Sequence, residues 1–190
     1  VKEALAEGIF IVAAAGNIDS EQNSSDVSSP ASLPGVIAVG AHGKSGDPWK
    51  DSARGSLVDP ETGENRTFPD QKPEIVAPGV DLWSCIDSER DPPYAFSTGT
   101  SDSTVMVTGA LALIIAIHGE QIAGDDGEID EQEMRLVKVA LANSAKKTAG
   151  QVQIHDQKSG YGLLDAIEWS EQVQKEFGLG TETTDSPDAK

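Results

Sequence analysis

The chain has 190 residues, enough for one domain with a sizeable core, and carries 32 acidic against 14 basic residues for a formal charge of −18. A surface this negative repels nucleic acid and anionic membranes, so neither is expected as a partner. Cys85 is the single cysteine, which excludes an internal disulfide.

Val1 to Gly8 reads as the tail of an amphipathic helix, with Val1, Ala4 and Leu5 on one face. The chain opens on Val1 without a cap, and we expect it to be a processed or truncated piece of something longer. Phe10 to Ala15 is a continuous apolar run and predicts a buried strand. It ends in small residues, Ala13-Ala14-Ala15-Gly16, followed by Asn17. That asparagine serves equally as a turn former or as a side-chain N–H donor to an oxyanion. Ile18 to Ser29 is a polar loop, and Val36 to Ala41 is a second buried strand. Two apolar strands without alternation predict a parallel sheet covered on both faces. His42 follows directly and reads as a surface residue.

Lys44 to Lys72 is a long polar connection in which Trp49 is a candidate anchor. Asn23-Ser24-Ser25 and Asn65-Arg66-Thr67 fit the glycosylation pattern weakly. Glu74 to Ala77 predicts a third strand turned by Pro78-Gly79, and Leu82 to Ile86 a short one. Asp87 to Pro93 is a loop delivering Tyr94-Ala95-Phe96 to Ser97-Thr98-Gly99-Thr100-Ser101. The run from Val105 to Ile117 predicts a helix buried all round. It is short, and rich in Ala, Gly and Thr, for a membrane span. Ser101 at its start is either a cap or a nucleophile whose oxyanion its own backbone N–H would hold.

Asp126 to Glu133 looks like the second half of a calcium loop, but Ile122 and Gly124 stand where the first two ligands belong. The alternative is a capping box of Asp130 and Glu133 opening a helix, Glu131 to Ser144, with Met134, Val137 and Leu141 inward. Leu163 to Phe177 predicts the last helix, with Ile167 and Val173 inward. We expect one domain over residues 1–177 and a disordered acidic tail over 178–190.

Five segments in order resemble the subtilisin-like serine proteases. Ala14-Ala15-Gly16-Asn17 is similar to that family's oxyanion-hole segment, and Gly99-Thr100-Ser101 to its nucleophile segment. Ser29 to Ala41, Pro73 to Val80 and Gly160 to Ala166 resemble further strands and the closing helix. The resemblance implies an α/β, three-layer subtilisin-like fold with a partial parallel sheet flanked by helices. It implies a serine endopeptidase in which Ser101 is the nucleophile and Asn17 an oxyanion donor. Ala14, Ala15, Gly16, Gly99 and Thr100 would then bind a polypeptide substrate. The family's catalytic Asp and His stand before the oxyanion Asn, so both are expected from an N-terminal part outside this chain. The family often binds calcium, which points to Glu74 with carbonyls of Ala31, Leu33 and Val36 as a structural calcium site. It also favours an extracellular or cell-surface location. Asp102 departs from the family's usual Met, and Val105 and Met106 from its Pro and His. The competing reading is an inactive subtilase-fold module used for binding or assembly.

Overall fold

The computed structural model describes residues 1–18 and 26–179. The tail beyond 179 and the Asn23 glycosylation pattern therefore lie outside the described residues. Three parallel strands form the central sheet in the order β1 (Val12–Ala14), β2 (Ile37–His42), β3 (Ile75–Pro78). The registers end β1 three residues short of β2: Ala14 pairs with Val39, whereas β2 runs on beside β3 to His42 opposite Pro78. β1 is shorter than the apolar run that encodes it. The segment after Gly160 closes the far side of β3, where Val76 N–H donates to Gly162 O at 3.0 Å and Leu164 N–H to Val76 O at 2.9 Å.

Alternation along β2 and β3 splits the core in two, because successive side chains leave opposite faces of a strand. Ile37, Val39, Ile75 and Ala77 face a layer of helices: α2 (Thr100–Ile122), α3 (Glu131–Ser144) and α4 (Ala166–Glu176). Ala13, Ala15 and Ala38 face Val27, Ala31 and Ala53, which belong to connecting segments. The expected α/β sheet flanked by helices is present, and the third layer is built of loops. A short α1 (Lys2–Ala6) precedes β1 and buries nothing.

Three expectations need correction. α2 is not buried all round: Val107, Ala110, Leu111 and Ile114 pack inward, while Val105 is 68% exposed, Leu113 66% and Ile117 62%. By length and composition α2 is apolar enough to cross a membrane, but its inward stripe lies on the sheet. In α4 the inward residues are Trp169 and Val173, and Ile167 is 75% exposed. Two residues on a helix are about 200° apart, so a buried Trp169 turns Ile167 outward. Its indole N–H donates to Val137 O at 3.0 Å and ties α4 to α3. Finally, Tyr94 to Ser97 is a strand, β5, paired antiparallel with β4 (Leu82–Cys85).

Residues 44–72 contain no helix and no strand of the sheets, yet they are not loosely attached. Arg66 is buried and bidentate on Asp26, 2.7 Å for each arm, and also donates to Ser32 O and Ser56 O. The anchor is therefore this ion pair more than half-buried Trp49. Removing one partner of a buried pair strands the other's charge. Arg66→Met is expected to lower unfolding stability by about 3–5 kcal/mol in urea titrations. Lys50→Met, at an exposed and long 3.9 Å contact with Asp51, is expected to change it by less than about 1 kcal/mol.

Candidate active site

α2 begins where the sheet ends. Its N-cap is Gly99, with no side-chain cap. Ser101 is therefore the second helical residue and does not cap. Gly99 N–H donates to Gly79 O at 2.8 Å, and the Ser103 hydroxyl to Ala77 O at 2.9 Å. A Cβ on Gly79 would stand 2.0 Å from Ser103 Oγ and 2.7 Å from Gly99 O, so only glycine permits this approach. Thr100, Ser103 and Val107 fall on the inward stripe and are buried. Ser101 lies about 200° from Ser103 on the helix, and its side chain is exposed.

The residue before it makes the link to β1. Thr100 N–H donates to Asn17 Oδ1 at 3.0 Å and the Thr100 hydroxyl to the same oxygen at 2.9 Å. Gly16 N–H in turn donates to Thr100 Oγ1 at 3.2 Å. Two donors on Oδ1 leave the Asn17 NH₂ on the other side, 3.2 Å from where a Gly99 Cβ would be. The first N–H groups of a helix have no partner within it. Those of Ser101 and Asp102 are in this first turn, at the positive end of the α2 dipole, and the carboxamide lies beside the same turn. Such an arrangement can hold a negatively charged oxygen.

Not every residue expected here is open to a ligand. Ala14 is half-buried, and its backbone groups point to the outer edge of β1, since Ile11 O and Ala15 N–H take the bonds to β2. Ala15 and Thr100 are buried, with Ala15 N–H on Val39 O and Ala15 O on Ser28 N–H. Gly16 is half-buried and both its backbone groups are used, O by Ala53 N–H. These three residues, with Gly99, shape the site from behind. Asp102 is half-buried and accepts from the Ser97 hydroxyl of β5 at 3.0 Å. It lies 3.5 Å from the Gly99 Cβ position and does not turn to solvent.

The histidines do not serve Ser101. His118 is on α2, about 26 Å along the axis by helical rise, and bonds Ser170 Oγ at 2.9 Å. His155 bonds Pro73 O, and burial lowers its pKa. His42 bonds Gly43 O.

The calcium expectation is not met by the residues that carried it. Glu74 is 2% exposed; Oε2 accepts from Ala38 N–H at 2.8 Å, and Oε1 from Lys72 at 2.7 Å and Lys138 at 2.9 Å. The Val36 carbonyl accepts from the same two ammoniums at 2.6 and 3.2 Å. Glu74 and Val36 are thus committed to lysines, and no donor set with Ala31 and Leu33 remains. Burial pushes the Lys72 ammonium down to about 8, against the pull of Glu74. Lys138 is also penalised by burial, but Glu74 and Asp70 outweigh that and raise it. Asp130 and Glu133 form the capping box, Asp130 accepting from Gln132 and Glu133 N–H. Among the described residues no group of three or more His, Cys, Asp or Glu is placed to hold a metal. Lys138 escaped the sequence reading; the only signal was a lysine on the inward stripe beside Val137 and Leu141.

A family model described as the subtilase family matches residues 1–162. Subtilisin amylosacchariticus of Bacillus subtilis subsp. amylosacchariticus is 36% identical over 118 residues, which is 62% of this chain and 26% of that protein. The major intracellular serine protease of Bacillus subtilis (strain 168) is 28% identical over 151 residues, 79% of this chain and 42% of that protein. Among solved structures, the prenylagaramide maturation protease PagA aligns at a TM-score of 0.60 and 26% identity, covering 87% of this chain and 51% of that one. The PatG macrocyclase in complex with peptide aligns at 0.64 and 23%, covering 90% and 46%. The chain thus spans about half the length of these solved structures and less than half of these two curated relatives.

The Thr100 hydroxyl both donates to Asn17 and accepts from Gly16. Thr100→Val is expected to lower stability by about 1–2 kcal/mol. Amide hydrogen exchange at Gly16 should accelerate selectively; unchanged exchange there would contradict the relay.

Proposed function

The chain belongs to the subtilase family, and on that footing we propose that it is the nucleophile-bearing part of a serine endopeptidase. Ser101 attacks the scissile carbonyl of a polypeptide, and the Asn17 NH₂ with the Ser101 N–H hold the resulting oxyanion. The single observation carrying this reading is the Thr100–Asn17 pairing. It fixes the carboxamide beside an exposed serine that has no capping role. The free edge at Ala14 offers an extended peptide a strand to pair with.

A serine hydroxyl needs a base to take its proton. None of the described histidines is on Ser101, so the His and the Asp orienting it are assigned to an N-terminal part of the same protease domain. That part also covers the exposed apolar face of α2. Alone, the chain then hydrolyses peptides at no enzyme-like rate. Relatives carry both subtilisin and intracellular protease names, so the extracellular or cell-surface expectation gains nothing from them.

Asp102 favours the second reading, a non-catalytic module. At about 6 Å and an effective dielectric near 20, a carboxylate opposes an oxyanion by roughly 2–3 kcal/mol.

The two readings part in the full protease domain containing this chain. A fluorophosphonate probe is expected to label Ser101 and nothing in Ser101→Ala. Asn17→Ala should lower kcat by about a hundred- to a thousandfold with little change in KM. Asp102→Asn should raise kcat by up to about a hundredfold. Absence of labelling in folded protein, including the Asp102→Asn form, selects the non-catalytic module.

A further inference from the structure

Three oxygen groups converge at the start of the β2–β3 pair: the Val36 carbonyl before β2, and the Asp70 and Glu74 carboxylates on the stretch leading into β3. Lys72 reaches Val36 O at 2.6 Å and Glu74 Oε1 at 2.7 Å. Lys138, arriving from α3, reaches Val36 O at 3.2 Å, Glu74 Oε1 at 2.9 Å, and also Asp70 Oδ1. Glu74 is fixed from behind by Ala38 N–H, and Asp70 Oδ1 by Gly35 N–H at 3.1 Å. Both lysine side chains are essentially buried, at 0% and 3% exposure.

Oxygen donors of this kind, one carbonyl and two carboxylates, are what a hard cation takes. A calcium ion sits 2.3–2.6 Å from its oxygens. The ammoniums already stand against the same atoms, so ion and lysines exclude one another. The charges also match, since two ammoniums balance two carboxylates. Arg135 adds an exposed contact to Asp70 Oδ2 at 3.4 Å.

We infer that Lys72 and Lys138 are this fold's built-in replacement for a bound cation, so that Val36, Asp70 and Glu74 form a divalent-cation seat closed by two ammonium groups. The seam between sheet and α3 is then held without calcium at this point. With both lysines gone, the seat carries two negative charges and one carbonyl, which suits one divalent ion. A cavity of about 110 Å³ lined by Gly35, Asp70, Met134 and Lys138 lies against the Asp70 side of the seat. The inference concerns these five residues alone and does not depend on what Ser101 does.

Thermal melting and calorimetric calcium titration of the 190-residue chain at pH 7 test it. The parent's melting temperature is expected to be the same in chelator and in millimolar calcium. Lys72→Met/Lys138→Met is expected to melt lower in chelator and to take up one calcium. Its melting temperature should rise by about 5–10 °C at a hundredfold excess over the dissociation constant. Adding Glu74→Gln should abolish both uptake and rise. Two results overturn the inference: a folded double variant that takes up no calcium, or a parent whose calcium response disappears on Glu74→Gln. If the double Met variant does not fold in calcium, Lys72→Gln/Lys138→Gln, which removes both charges but keeps an amide donor at each position, decides. Calcium uptake with a rise in melting temperature supports the inference, and neither overturns it.

Discussion

The close seating of the first turn of α2 on the end of β3 is the contact from which the rest of the site follows. Gly79, Gly99 and Ser103 meet at distances that tolerate no added carbon at residue 79. Once Ser103 is bonded to Ala77 O, helical geometry leaves Ser101 outside and Thr100 against β1. Thr100 then takes hold of Asn17 and Gly16. One packing constraint thus orients a hydroxyl and a carboxamide that are far apart in sequence.

Charge is distributed to match. Of 14 basic residues, at least three, Arg66, Lys72 and Lys138, are buried on carboxylates. Their carboxylate partners Asp26 and Glu74 are buried with them, so the acidic excess stays on the surface. Inside, Arg66 and Lys138 join segments that share no ladder, while Lys72 reinforces the β2–β3 pair at its start. Arg66 holds the connection after β2, and Lys138 holds α3 to β2 and the start of β3. Buried ion pairs stabilise only when their geometry is nearly complete. Here no buried side-chain nitrogen or oxygen among the described residues lacks a partner.

The faces left uncovered have a shared character. The outer edge of β1 has unpaired backbone groups, and the outer face of α2 presents Val105, Met106, Leu113 and Ile117. On the β4–β5 hairpin exposed Trp83 stacks on Tyr94 and meets Phe96 edge to face. Exposed apolar groups of this kind suit an interface. It agrees with a chain that spans half of its solved structural relatives.

The strands of the main sheet and the three long helices were legible in the residues because apolar runs and capping signals are local, whereas β5 was not. So was the pairing of Asp130 with Glu133, three residues apart on one helix start. The roles proposed for Asn17 and Ser101 rest on motifs in the sequence. Their common location depends on Thr100, 83 positions from Asn17, and on how β1 and α2 pack. Three things belonged to the tertiary structure alone. Which side of α2 is covered depends on a sheet of three strands, not on the helix's own composition. Whether Thr100 lines a site or supports one depends on burial. And the seat at Glu74 takes ammonium because Lys138, 64 residues later, arrives from another element. Local patterns fix elements; long-range approach of charges and hydroxyls is set only when those elements pack.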